Sequence, residues 1–198
     1  MKILGEDIIV IDAMFVSAVI ICSMFAYIFI MPRPIQPIFP LWILNEYHKA
    51  PQSQMTVTTN ESYLLYIGTE NMMGQAEYCQ ILVKFRNMSM PIPSTANLTS
   101  TPTDPILSYN FFLAKDNEWE EKFEFQIIGE ENESSFLFYG IEINNKIHET
   151  RLKSDWSEGL QGYYYQFIFE LWLFNEITTE FSFSGVWVTS PFLHINSH

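Results

Sequence analysis

The alternation of apolar and polar residues changes character twice along the chain. Residues 13–31, "AMFVSAVIICSMFAYIFIM", run without a charge and without a polar stripe. As a helix this stretch would extend roughly 28 Å, close to the hydrocarbon thickness of a bilayer. It predicts a retained transmembrane anchor. A cleaved signal peptide would have a basic start and a small-x-small site, and "MKILGEDIIVID" and "YIFIMPRPIQP" supply neither. A buried core helix would show a polar face. Prolines 32, 34, 37 and 40 follow, predicting an extended, semi-rigid spacer over 32–40. From 41 onward the period becomes two. Short segments rich in aromatic and β-branched residues, at 41–45, 55–59, 62–70, 77–87, 106–114, 119–129, 134–144, 162–175 and 181–189, read as strands. In "EYCQILVKF" the residues Cys79, Ile81, Val83 and Phe85 form the apolar face; in "KFEFQI" Phe123, Phe125 and Ile127 do. With no amphipathic helix of useful length, the fold class is all-β: an antiparallel, immunoglobulin-like sandwich preceded by one N-terminal transmembrane helix.

The expected organisation is an anchor (1–31), the spacer (32–40), a sandwich (41–175), and a C-terminal extension or added strand (176–198). Asn71 and Gly74 between two strands predict a hairpin-like pair. The Pro-, Ser- and Thr-rich segment 87–105 reads as an exposed crossing between sheets or an edge element. Residues 149–162 read as a second long polar loop carrying Trp156.

Charge narrows the function classes. The chain carries −13 at pH 7; without Lys2, Glu6, Asp7 and Asp12, nine basic and twenty acidic residues remain, a net −11. Such a surface repels nucleic acid. Lys2 and Arg33 flank the apolar run symmetrically, so positive charge does not orient it. Four N-x-[ST] sequons, at Asn60, Asn87, Asn97 and Asn132, all follow the run and are glycosylation candidates. They favour a cytoplasmic N-terminus and an extracytoplasmic domain at the cell membrane. Asp12 reads as an interfacial carboxylate or a polar contact to a partner helix. Ser17, with Ala13, Ala18, Ser23 and Ala26, would let such a helix approach closely. Cys22 and Cys79 lie too far apart in this scheme to form a disulfide.

The strand sequence also resembles a family of mostly archaeal membrane proteins of unassigned function. The resemblance is carried by Asn71, Tyr78, Trp119, Glu120, Phe125, Phe136, Leu137, Tyr139, Leu171 and Trp172 and covers about residues 40–175. It implies an extracytoplasmic immunoglobulin-like sandwich beside membrane helices. The single apolar run here departs from the several spans common in that family. The resemblance implies no chemistry.

Catalytic patterns are missing from the sequence. It holds no G-x-S-x-G, P-loop, G-x-G-x-x-G or C-x-x-C. His194 and His198 are spaced for metal only on a helix, and their segment reads as an extended, solvated tail. The acidic runs "DNEWEEKFE" and "GEENES" lack calcium-loop spacing. Strand alternation makes the first a solvated face through Glu118, Glu120, Lys122 and Glu124. Trp42, Trp119, Trp172 and Trp187 read as core packing, and Trp156 as an exposed contact. The expectation is therefore a non-catalytic, single-pass accessory or structural subunit with no cofactor and no bound metal. Its partners would be other membrane or envelope proteins, with the lipid bilayer met through 13–31. The alternatives are a module binding envelope glycan or a small ligand, and a metal-binding accessory to a membrane enzyme.

Overall fold

The computed structural model describes residues 14–25, 38–132, 135–149, 156–157 and 162–196, apart from the side chains of 130–138, 156 and 196. The chain divides into two compact units, Met1–Gln36 and Pro37–His198. In the first, residues 14–25 form a helix on which every side chain is exposed, including Phe15, Ile20 and Phe25. Among the described residues no helix is long and apolar enough to cross a membrane. Asp12, Ala13 and 26–31 of the expected span lie outside the described residues.

The second unit is a two-sheet β-sandwich of twelve strands: β1 (Leu41–Asn45), β2 (Gln54–Thr58), β3 (Ser62–Glu70), β4 (Glu77–Asn87), β5 (Leu107–Leu113), β6 (Glu118–Asn132), β7 (Ser135–Ile143), β8 (Lys146–His148), β9 (Trp156–Ser157), β10 (Gly162–Asn175), β11 (Glu180–Thr189) and β12 (Phe192–Asn196). One sheet has the order β1-β3-β6-β7-β8. The other runs β2-β12-β10-β4-β5, with β11 and β9 also paired to β10. The apolar faces read from the alternation meet between them. Cys79, Ile81, Val83 and Phe85 face Phe123, Phe125 and Ile127, all at most 2% exposed. Phe167 sits among these rings, 4.9 Å from each of Phe85, Phe123 and Phe125. Edge-to-face contacts of this kind add to the burial term.

Several expectations are corrected. β3 and β4 are not a hairpin, since they belong to different sheets. The reason is Asn71, fully buried at the corner. Its Nδ2 donates to the carbonyls of Gln75 (2.8 Å) and Leu113 (2.9 Å), and its Oδ1 accepts from Met73 N–H (2.9 Å). Its backbone bonds both Asn117 and Asp116, tying the β3–β4 corner to the β5–β6 turn. The spacer does not reach residue 40 as free chain. Phe39 enters the core, and the Pro40 carbonyl accepts from Thr69 Oγ1 at 2.8 Å. The C-terminal segment is not a solvated tail: β11 and β12 run along one edge of β10, and Leu193 and Ile195 are core residues. Ser190–Pro191 joins the two strands at an irregular step, which suits a residue with no N–H. The sandwich is not wholly antiparallel either, because β12 pairs with β2 in parallel. β8 had no counterpart in the strand reading. Asn144 and Asn145, both at positive φ (48° and 64°), make the two-residue turn that creates it.

Burial also sets the alkaline limit of the fold. The Cys79 thiol is pushed from 9.0 up to about 12, first by burial and then by Glu77. The Tyr109 phenol rises from 10.0 to about 12, chiefly by burial and partly through Glu121, against a lowering hydrogen bond from Asn144. Both groups bind protons more tightly folded than unfolded. Stability is therefore expected to stay level below pH 9 and to fall as pH rises from 9 towards 12. Urea midpoints at pH 8, 9.5 and 11 check this; a level profile to pH 11 would contradict it. In the native protein at pH 8, the buried Cys79 should not react with a thiol reagent, and it should do so once the sandwich is unfolded in urea.

Candidate interaction surface

The outward face of the β5-β4-β10-β11 strands carries most of the molecule's unusual chemistry. Period two along β4 and β10 directs Gln80, Leu82, Lys84 and Arg86 outward, with Gln166, Ile168, Glu170 and Trp172 beside them. Lys84, Arg86, Gln166 and Glu170 are nonetheless buried, Glu170 completely. What buries them is the segment between β4 and β5. It was expected as an exposed crossing or an edge element. It leaves and rejoins the same sheet, because β4 and β5 are neighbours, and lies over the face as a strap.

The strap is held at three points. The Glu170 carboxylate accepts from Lys84 Nζ (3.0 Å), Ser100 Oγ (2.8 Å), Thr101 N–H (2.8 Å) and Trp172 Nε1 (3.2 Å). Lys84 also donates to the Thr101 carbonyl at 2.7 Å and to Ser100. Such completeness is what a buried ion pair requires, since an unpaired charge in this position would be costly. At the strap's beginning, Arg86 donates to the Met90 carbonyl (2.6 Å) and to Gln166 (2.7 Å). In the middle, Thr95 donates to the Gly185 carbonyl (2.9 Å) and accepts from Trp187 Nε1 (3.3 Å). A Cβ at Gly185 would stand 2.8 Å from Leu98, and its φ of +81° also favours glycine.

Beyond the strap the same face is open and aromatic. Phe112 on β5 is opposite Tyr78 on β4, and Phe174 on β10 is opposite Phe181 on β11. Ring contacts join the row, with Tyr78 5.9 Å from Phe174 and 5.1 Å from Phe181. Trp172 and Phe183 follow behind at 5.9 Å. Phe112 is 68% exposed and Tyr78 40%. Four strands thus build one shelf of rings, bordered by Gln80 and Asn110, whose side chains bond each other at 2.8 Å. The turn beyond Phe174 projects Ile177, which is 94% exposed. An exposed apolar patch of this continuity marks a contact surface more often than chance.

The concave regions are less distinctive. A cleft of about 680 Å³ is lined by Asn45, Gln54, Tyr63, Lys122 and Glu124 among others. Two of its charges are already paired, Lys122 with Glu124 at 2.9 Å, and Tyr63 OH donates to Glu61 and accepts from Thr58 N–H. A second, of about 780 Å³, lies beside Phe85, Met90, Ile106 and His148. Among the described residues, no three His, Cys, Asp or Glu side chains are grouped to hold a metal.

The residues singled out in the sequence scatter. Asn60 and Asn97 are exposed in turns. Asn87 is 6% exposed, and its Oδ1 caps the following turn by accepting from Ser89 and Met90. A glycan there would require that turn to unfold. Asn132 ends β6, with its side chain outside the description. Trp156, in β9, pairs through its backbone with Tyr163 of β10; the conformation of its ring lies outside the described residues. Ser17 is exposed on the helix, and Asp12 lies outside the described residues. His194 is not on a free tail: it stacks on Tyr164 at 4.8 Å and fills the space a Cβ at Gly162 would need. Trp119 stacks on Phe111 at 4.2 Å against the core, as expected. Trp172 and Trp187 face outward instead, bonding Glu170 and Thr95, and Trp42 covers Gly68 on the outside of the other sheet. The aromatics of the shelf have the same strand context in the sequence as those of the core. The signal for the shelf was the near-continuous apolar run of β10, which implies two covered faces.

No sequence profile of a known family matches the chain, and no curated protein does. Among solved structures, the CARDB domain of the PF1109 protein from Pyrococcus furiosus, in complex with di-metal ions, is similar at a TM-score of 0.36. Identity is 8%, over 84% of this chain and 99% of that domain. A β-glucosidase from Listeria innocua in complex with glucose gives 0.33 at 8% identity. That likeness spans 81% of this chain and 16% of the enzyme. Likenesses this distant carry no argument about chemistry.

Proposed function

We propose that this protein is a non-catalytic interaction subunit, tethered to the cell membrane through residues 13–31, whose immunoglobulin-like sandwich binds an envelope or membrane protein. The observation that carries the reading is the aromatic shelf of Phe112, Tyr78, Phe174 and Phe181, together with Ile177 at its rim. Protein contacts concentrate their binding energy in such aromatic residues. The apolar helix at 14–25 supports the tether, because each of its described side chains is exposed.

The full chain, extracted with a mild detergent, is expected to migrate with a larger complex. Tyr78→Ser combined with Phe181→Ser should reduce co-purification at least about tenfold, with near-UV circular dichroism unchanged. Migration of the unaltered protein as a species without other proteins, or retention of its partners by the double variant, would overturn the reading. Recovery without detergent would remove the tether. A second reading, glycan binding, draws on the amides of Gln80 and Asn110 beside the rings, since sugars engage stacked rings and amides together. Retention on an envelope-glycan column, lost in the same variant, distinguishes it.

A further inference from the structure

The two sheets end in strands that could each recruit another strand, because an edge strand presents unpaired N–H and C=O groups. Most of these ends are protected. β8 is three residues long and begins with Lys146. β2 is short, and β1 is equally short and lies against β11. The outer side of β11 is interrupted at Gly185, whose carbonyl is taken by Thr95 of the strap. β5 has none of these devices. From Ile106 to Ala114 the sequence "ILSYNFFLA" contains no charge, no proline and no glycine, in a chain of net charge −13. Its seven strand residues pair with β4 on one side only.

The direction of its free groups follows from the registers. Phe167 in β10 gives its carbonyl to Ser190 N–H (2.9 Å) and its N–H to Ser190 Oγ (3.0 Å). Odd-numbered residues of β10 therefore bond towards β11–β12, and even-numbered ones towards β4. Through the pairs Glu170↔Leu82 and Cys79↔Phe111, odd residues of β4 and β5 bond each other. The Val83 carbonyl is directed to β5 accordingly, where it accepts from the N–H of Ile106 (2.8 Å), the residue just before the strand begins. The N–H and C=O groups of Ser108, Asn110 and Phe112 are left directed away from the sheet.

We propose that β5 pairs antiparallel with β5 of a second copy of this chain, about a two-fold axis through Asn110. In that register Asn110 meets Asn110, and Ser108 meets Phe112 on either side. The outward donors and acceptors then match, giving about six main-chain hydrogen bonds. Leu107 comes opposite Leu113. A second copy is the occupant because the strand complements itself in this register. It is also an uncharged stretch, longer than the uncharged edge strands β1 and β2, at which two acidic molecules can meet without opposing carboxylates. The resulting dimer has a continuous sheet across the two-fold axis and carries both aromatic shelves on one face.

The test uses the full chain in detergent with Cys22→Ser to remove the exposed thiol. In this background Asn110→Cys should form a disulfide-linked dimer under mild oxidation, since a directly opposed pair has Cα atoms about 5.5 Å apart. Ser108→Cys should not, because its counterpart lies four residues away along the paired strand. Asn110→Pro removes an outward N–H, which an edge strand tolerates, together with the exposed side-chain bond to Gln80, which Asn110→Cys also lacks and so controls for. It should weaken dimerisation roughly tenfold or more by sedimentation while the thermal midpoint of the monomer is retained. The shelf variants at Tyr78 and Phe181 should leave dimerisation intact, so loss of the partner complex and loss of the dimer are separate readouts. A protein that sediments as a monomer at tens of micromolar, or equal crosslinking through positions 108 and 110, overturns the proposal.

Discussion

Replacing Glu170 by alanine is expected to destabilise the sandwich by about 3–5 kcal/mol, the usual cost of removing one partner of a buried ion pair. The side chains of Lys84 and Glu170 are 5% and 0% exposed, so the remaining ammonium has no water to turn to. Ser100 Oγ, the Thr101 N–H and Trp172 Nε1 lose their acceptor in the same step. The loss is a large fraction of the 5–15 kcal/mol that holds a typical domain together. Glu170→Gln tests the cause: it keeps shape and one acceptor, yet leaves the Lys84 charge uncompensated, so it should recover only part of the loss. Lys84→Met combined with Glu170→Met removes both charges and should be less harmful than Glu170→Ala, as buried pairs replaced by apolar groups often are. Urea unfolding of the four proteins decides the matter. Equal midpoints for Glu170→Ala and the double variant would show that charge is not what the strap depends on. Proteolysis offers a second view, since a released strap exposes residues 88–104 to cleavage before global unfolding.

Asn71→Ala should cost about 2–4 kcal/mol, unusual for so small a truncation. It removes two donors to carbonyls and one acceptor, and the Leu113 carbonyl is left buried without this partner. The effect is geometric as well. Asn71 joins the two turns that carry the chain between sheets, so its loss loosens both at one end of the sandwich. Asn71→Asp is the discriminating variant. A carboxylate still accepts from Met73 N–H, but it faces the carbonyls of Gln75 and Leu113 with no hydrogen to offer. It should therefore be at least as damaging as alanine at neutral pH and milder at pH 3, where the carboxyl gains a proton. Thermal or denaturant midpoints measured relative to the unaltered protein at both pH values check this; a milder effect of aspartate at neutral pH would contradict the donor role.

The strands were legible because side-chain alternation is a local property. Residues 62–70, 77–87 and 162–175 have the bounds read from their aromatic and β-branched runs, and the core faces of β4 and β6 follow from the same period. Failures began where a partner had to be chosen. Asn71 with Gly74 has the composition of a hairpin turn, and only the buried acceptors around Asn71 turn it into a corner between sheets. The segment 88–105 has the composition of an exposed loop. It lies over a face because Lys84 and Glu170, on the distant strands β4 and β10, come together beneath it. Residues 176–198 read as an extension or an added strand, and that they supply β12 depends on β2 and β10.

The candidate surface was less legible than the fold. Tyr78, Phe112, Phe174 and Phe181 are ordinary strand aromatics in the sequence, and no spacing relates them. They share a row through the registers of three strand pairs. Sequon patterns identify an acceptor type without its burial, so Asn87 looked equivalent to Asn60 and Asn97 until its cap was seen.

By itself the sequence determined that this chain is an acidic β-protein with an uncharged apolar opening, and which side of β4 and of β6 turns inward. Those properties depend on residue type and on neighbours two positions away. The tertiary structure alone decided which strands pair, which outward face is strapped and which stays open, and that the uncharged seven-residue strand β5 is left at a sheet edge. Each of these is settled by competition among distant segments for the same hydrogen bonds and the same apolar area, and such competition has no local signature.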